Sequence, residues 1–206
     1  MNELILCMEL IGTVAFAVSG AMTALRRQMD LLGALILGLI TAVGGGILRD
    51  LLLGITPPKI FDDPLTVCVA LATSAVAFLP PVRRTLARST LLFDRILLAA
   101  DSVGLAIFTV VGEQVAFGHL PEENWFAVAL LGAITGVGGG VLRDVCCMER
   151  PYIFTKHVYA CASLAGAAVC MALWSMGESF AMLMGCGVTL ALRICAAVFR
   201  WSLPKA

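Results

Sequence analysis

Apolar residues run through this chain in long blocks separated by short polar links, without the alternation of a half-buried strand or the single apolar face of a soluble helix. A block of about 20 apolar residues is long enough to cross a hydrocarbon core as a helix. Seven such blocks are predicted, at approximately 4–25, 31–53, 65–81, 95–117, 125–147, 157–175 and 179–199. They take up most of the 206 residues, so the chain is predicted to be a single transmembrane domain over 1–206, all-α, with no soluble domain. The first block is expected to be retained. Met1-Asn2-Glu3 offers no basic stretch ahead of it, the run is too long for a signal peptide, and Arg26-Arg27 follows it.

The second and fifth blocks carry the same costly phrase. One holds Gly44-Gly45-Gly46-Ile47-Leu48-Arg49-Asp50 and the other Gly138-Gly139-Gly140-Val141-Leu142-Arg143-Asp144. Each glycine weakens a helix by about 1 kcal/mol relative to alanine. Arginine and aspartate each cost about 2.5–3.5 kcal/mol at the centre of a membrane helix. The likeness extends beyond the phrase. Gly12, Phe16, Gly20 and Ala24 recur as Gly104, Phe108, Gly112 and Ala116; Gly38 and Thr41 recur as Gly132 and Thr135. Pro58-Lys59-Ile60-Phe61 recurs as Pro151-Tyr152-Ile153-Phe154, whereas Glu9 is read as having no counterpart in the fourth block. Blocks one to three, approximately 4–81, thus repeat as blocks four to six, approximately 95–175, and 179–199 is an addition. Three helices per repeat is an odd number, so the second repeat enters from the opposite face. That predicts an inverted repeat about an axis in the membrane plane, with any pathway at the repeat interface.

The glycines then fall near mid-membrane, with Arg49-Asp50 about 7 Å towards one face and Arg143-Asp144 as far towards the other. Two readings compete. The glycines allow close packing while the charges form interhelical ion pairs, or they break the helices and free carbonyls into a wet path. Three consecutive glycines exceed the one small residue per turn that packing requires, which favours the path. Neighbours on a helix diverge by about 100°, so Arg49 and Asp50 are expected to pair with other helices, or to face a hydrated cavity, rather than to meet each other. Asp101 is expected to neutralise an arginine or line the mouth of the path. Glu113 is expected to be solvated, and Ser19, Thr41 and Thr135 to bond their own helices.

Composition and charge set the class and the orientation. With 60% hydrophobic and 14% charged residues and a mean hydropathy of +0.98, this is an integral membrane protein. The net charge of zero hides an alternation. Arg26 and Arg27, then Arg83, Arg84, Arg88 and Arg95, then Arg150 and Lys156, and finally Arg200 and Lys205 occupy every second link. The other links hold Lys59 as their single base, beside Asp62, Asp63, Glu122, Glu123 and Glu178. The positive-inside rule then places the N-terminus outside and the C-terminus in the cytoplasm.

Several chemistries are excluded. The eight cysteines lie mostly within blocks and form no Cys-x-x-Cys pair, so they are expected to be packing residues. His119 and His157 fall on opposite sides, which excludes a shared metal or bis-histidine haem; no cofactor is expected. No span carries a histidine to activate a serine or cysteine, so no enzyme is expected. Neither Gly-x-x-x-x-Gly-Lys nor a strand precedes the glycines, which excludes a phosphate loop. No nucleic-acid partner is expected.

Two triple-helix repeats, the doubled Gly-Gly-Gly-x-Leu-Arg-Asp phrase and a seventh helix together resemble the trimeric intracellular cation (TRIC) channel family. Within it the chain is most similar to the bacterial branch, also described as a glycine-transporter domain family. Ala17-Val18-Ser19-Gly20, Asp101-Ser102-Val103-Gly104-Leu105, Pro151-Tyr152-Ile153-Phe154 and Tyr159-Ala160 strengthen the match, which covers nearly the whole chain. The resemblance implies a homotrimer in a bacterial cytoplasmic membrane, with an hourglass pore inside each protomer between helices two and five. By position, Gly44, Gly45, Gly46, Gly138, Gly139 and Gly140 would form kinks, flanked by Arg49, Asp50, Arg143 and Asp144, with Asp101 nearby. The implied partners are membrane lipids and permeating monovalent cations, potassium preferred. The alternative is a glycine carrier in which Asp50 or Asp144 meets the ammonium group. The basic phosphoinositide-binding segment of animal members is not matched, since Leu51, Leu52, Leu53 and Gly54 follow Asp50.

Overall fold

The computed structural model describes residues 3–87, 89–121, 124–155, 158–199 and 201. These form helices and short connections, with no strand among the described residues. In order they are α1 (Glu3–Arg26), α2 (Leu31–Leu52), α3 (Pro64–Phe78), α4 (Pro80–Ala87), α5 (Thr90–Phe117), α6 (Trp125–Cys146), α7 (Tyr152–Thr155), α8 (Tyr159–Leu173) and α9 (Glu178–Val198). Single 3₁₀ turns cover Lys59–Asp62 and Trp174–Met176.

Local chemistry explains the boundaries. The Asp30 carboxylate accepts from the Gly33 amide at 2.8 Å and starts α2. Asp63 accepts from Thr66 at 3.2 Å with Pro64 at the first helical position, which starts α3. Ser89 accepts from Leu92 at 3.3 Å and starts α5 at Thr90, ahead of the expected 95, because the cap draws Leu91, Leu92 and Phe93 into the helix. The expected block 65–81 is two helices instead of one. Leu79 is extended ahead of Pro80, as a residue before proline prefers, and α4 leaves α3 at 67°.

Among the described residues six helices are long and apolar enough to cross a membrane: α1, α2, α5, α6, α8 with the turn that follows it, and α9. The bent α3–α4 pair would make a seventh. α3 and α8 have 15 residues each. At about 1.5 Å per residue that is some 22 Å, short of the ~30 Å hydrocarbon core. Both are the third long helix of their triplet.

α2 and α6 cross at the centre. α1 packs on α2, α5 on α6, and α1 against α5; α3 closes on α1 and α2, α8 on α6 and α5, and α9 on α8 and α5. Uniformly apolar helices gain little by choosing one neighbour over another, so small residues set the contacts. These contacts are reciprocal. A Cβ on Gly104 would enter the Phe16 ring and one on Gly12 would press the Phe108 ring, and the two rings stack at 5.3 Å. A Cβ on Gly45 would strike the Thr135 carbonyl, and one on Gly139 the Thr41 carbonyl. Each contact occurs twice with the roles exchanged, the pattern of a two-fold relation.

Arg26 pairs with Asp94, and Arg27 donates to Glu149 at 2.7 Å, which draws the links after α1, α4 and α6 to one end of the bundle. Of the residues in the charge pattern above, Arg88, Glu122, Glu123, Lys156, Arg200 and Lys205 lie outside the described residues, as do His157, Met1 and Asn2.

Candidate functional site

Both helices run through their glycine triplets as uninterrupted α-helix. The expected break that frees backbone carbonyls is therefore corrected. The glycines remove side chains where the two backbones meet, and the contact offsets their poor helix propensity. Gly45 and Gly139 take the opposite backbone. Gly44 seats Leu142 and Gly138 seats Leu48. The third glycine of each triplet behaves differently. Gly46 faces open space, a Cβ there lying 3.8 Å from the Arg49 guanidinium, its nearest neighbour. A Cβ on Gly140 would lie 2.8 Å from the Tyr159 hydroxyl and 3.7 Å from Asp101.

The adjacent arginine and aspartate pair with each other, contrary to expectation. Arg49 reaches Asp50 Oδ1 through Nε at 3.0 Å and Nη2 at 2.8 Å, and Arg143 Nε donates to Asp144 Oδ1 at 2.8 Å. The 100° divergence describes Cβ directions, and the long arginine stem curls back far enough to overcome it. The second carboxylate oxygen is used identically in both halves. Asp50 Oδ2 accepts from the Lys59 amide and Asp144 Oδ2 from the Tyr152 amide, each at 2.9 Å. Each aspartate thus ties the segment after its helix back onto the crossing.

Beyond these shared features the halves diverge. In the closed half, Arg143 Nη1 donates to Asp101 Oδ1 at 2.7 Å and to Ser19 Oγ at 2.5 Å. Asp101 Oδ2 lies 3.5 Å from Arg193 Nη2, whose guanidinium sits over the Tyr159 ring at 4.6 Å. The Arg143 guanidinium sits over the Tyr152 ring at 4.9 Å. Burial pushes the Tyr152 phenol upward against the pull of Arg143, which keeps it neutral. Arg143, Asp101, Tyr159 and Arg193 are all buried, and the two cations are matched by Asp101 and Asp144. Ser19 thus bonds another helix, while Thr41 and Thr135 bond their own carbonyls, Leu37 and Leu131, at 2.6 Å each.

The open half holds a cavity of about 480 Å³. Half-buried Glu9, Gly46 and Gln114 and buried Thr13 and Arg49 line it, Phe108 of the stacked ring pair forms part of its wall, and exposed Lys59 stands at its rim. Glu9, Asp50, Asp63 and Glu178 oppose only Arg49 and Lys59 on its walls. Acid is therefore in excess where the closed half is balanced. Such a cup concentrates cations.

Two sequence readings need amendment here. Glu9 does have a counterpart: the register that pairs Gly12 with Gly104 pairs Glu9 with Asp101. Glu113 is fully buried, not solvated, because α6 and α8 cover it at Gly132 and Cys170. Arg193 joins the site from α9, and its signal in the sequence is an arginine inside the apolar block 179–199, which calls for a buried partner. Among the described residues no group of three or more His, Cys, Asp or Glu side chains could hold a metal.

The family model described as Glycine transporter matches residues 6–80 and again 98–175. The chain belongs to that family. The UPF0126 inner membrane protein YadS of Escherichia coli (strain K12) is 36% identical over 204 residues, 97% of this chain and 94% of its own. A solved chain concerning the structural basis for conductance through TRIC cation channels is 38% identical with a TM-score of 0.84, the match covering 97% of this chain and 96% of that one. The TRIC trimeric intracellular cation channel orthologue from Rhodobacter sphaeroides is 32% identical with a TM-score of 0.86, over 96% of this chain and 98% of that one. The family member described here is accordingly a multi-pass bacterial inner-membrane protein with the TRIC channel fold.

Proposed function

We propose that the protein is a passive, potassium-preferring monovalent-cation channel whose path lies inside each protomer, between α2 and α6. The observation that carries this reading is the unequal pair of halves. An acid-rich cavity leads in from one end to the crossing, and only the far end is filled, by Tyr159, Arg143 and Arg193. A path closed at one end suits a gated channel, and the similar solved proteins are described as cation channels. The constriction lies where Gly46, Gly140 and the Phe16–Phe108 pair converge, and opening withdraws Tyr159 and Arg193 from it. Gly44, Gly45, Gly138 and Gly139 hold the crossing, while Arg49, Asp50, Arg143, Asp144 and Asp101 flank the path.

In this reading the chain is one transmembrane domain of seven spans, with α3 and α4 together as the third. The repeats cover approximately 4–81 and 95–175 and are inverted, with an extra helix at 179–199. The N-terminus lies outside and the C-terminus in the cytoplasm, so the open half faces out. The R. sphaeroides orthologue is described as trimeric, which supports a homotrimer, with lipid around it and no catalytic role.

Purified protein in planar bilayers tests the reading. Unitary currents are expected, with reversal potentials that follow the potassium gradient. Absence of potassium currents at every voltage overturns it. Saturable glycine uptake into proteoliposomes without current would point to the carrier alternative, which the channel neighbours do not favour.

A further inference from the structure

The two-fold relation allows one half to be read against the other, position by position. Arg49 corresponds to Arg143 and Asp50 to Asp144; Glu9 corresponds to Asp101, and the proline register places Thr66 opposite Tyr159. In the closed half, Asp101 meets two cations: Arg143 from the matched helix, and Arg193 from α9. The seat of Arg193 is roofed by the Tyr159 ring. In the open half neither contact has an equivalent. Arg49 turns to Asp50 and makes no bond to Glu9, Thr66 is small where Tyr159 is large, and α9 belongs to no repeat. What stands beside Glu9 in place of the guanidinium and the ring is the 480 Å³ cavity.

A second observation points to the same spot. Thr13 lies one helical turn after Glu9 on α1, lines the same cavity and is fully buried. A buried helix threonine ordinarily bonds its own backbone, as Thr23, Thr41, Thr109, Thr135 and Thr189 do here. The Thr13 hydroxyl has no partner among the described residues. Its counterpart across the two-fold is Leu105, so no shared packing need explains a hydroxyl at this position.

We infer that Glu9 and Thr13 form a seat for a monovalent cation in the open half, the counterpart of the seat that Arg193 occupies on Asp101. The inference rests on the channel reading and names where a cation pauses within it. One carboxylate and one hydroxyl, with Arg49 and Lys59 on the same wall, suit a single charge that keeps part of its water. A calcium ion takes about six to eight oxygens and does not suit this wall. Because the matched seat holds a guanidinium, guanidinium ion is the diagnostic probe.

The test uses full-length protein in planar bilayers, with potassium varied from low to high concentration and guanidinium added to either side. The parent is expected to show saturating conductance and to be blocked by guanidinium from the open-half side. Glu9→Gln is expected to lower conductance about 3- to 10-fold at low potassium, to converge on the parent at high potassium, and to lose the block. Glu9→Asp is expected to retain both, and Thr13→Val to fall between. A second measurement is independent of current. Potassium and guanidinium, against N-methyl-D-glucamine at equal ionic strength, are expected to raise the thermal midpoint of the parent and not of Glu9→Gln. Conduction by Glu9→Gln and Thr13→Val with parental concentration dependence and block overturns the seat and leaves the channel standing. A silent parent that potassium and guanidinium still stabilise through Glu9 overturns the channel and keeps the seat. A parent with neither current nor stabilisation overturns both.

Discussion

Gly45 and Gly46 are neighbours in sequence with opposite surroundings, and they separate packing from path. A methyl group on Gly45 meets the Thr135 carbonyl, a backbone atom held in its own helix that cannot yield. Gly45→Ala is expected to destabilise by about 1–3 kcal/mol, the usual range for overpacking, visible as a lower thermal midpoint in detergent. Gly46→Ala has only the tip of Arg49 nearby, at 3.8 Å. It is expected to hold or raise the midpoint, because alanine favours the helix by about 1 kcal/mol over glycine, and to reduce unitary conductance by narrowing the cavity. Equal effects of the two substitutions on stability would remove the distinction. The sequence displayed all six glycines but not this division. Which glycine touches a backbone and which a void depends on the rotation of each helix about its axis, and three glycines in a row carry no such information. The pairing of each arginine with the next aspartate was hidden for a related reason: helix geometry fixes Cβ directions but not how far a long arginine stem curls back.

At the scale of elements, the aspartates act as ties. Asp50 and Asp144 each hold an arginine with one oxygen and the amide beyond the next proline with the other. Hydrogen bonds to charged groups contribute about 1.5–3 kcal/mol. Asp144→Asn is expected to speed hydrogen exchange at the Tyr152 amide, and Asp50→Asn at the Lys59 amide. The loss of stability should be larger for Asp144→Asn, because its arginine is fully buried whereas Arg49 lines a cavity. Unchanged exchange at both amides would deny the ties. Helix positions were legible from the apolar blocks, since α1, α2 and α6 end within a residue or so of their predicted limits. The α3–α4 corner was legible too, in Pro80-Pro81, but a count of hydrophobicity passes straight through proline. Only the loss of an amide donor and the restriction on Leu79 reveal the bend.

At the scale of the molecule, orientation rests on the alternation of basic links, and two of its ion pairs, Arg26–Asp94 and Arg27–Glu149, gather three of those links at one end. A green fluorescent protein fused after Ala206 is expected to fluoresce, and alkaline phosphatase at the same position to be inactive. The reverse pattern would invert the proposed topology and turn the acid-rich cavity towards the cytoplasm. The duplication was visible in the sequence because glycine, proline, arginine and aspartate are rare enough in apolar helices to serve as markers. The difference between the halves was less visible, because part of it depends on Arg193 of a helix outside the repeat and part on which unlike matched residues, such as Thr66 and Tyr159, reach the crossing.

That dependence has a consequence for polarity. The α2–α6 crossing, the ring pair and the two ties read the same from either end, so none of them tells a front from a back. A scaffold of that kind, left to itself, would behave alike whichever way up it was inserted. Arg193 removes the equivalence by bringing one charge from α9 to one of two matched carboxylates. The direction of the whole device is therefore set partly by an added helix and partly by unlike residues at matched places in the repeats, such as Thr66 and Tyr159.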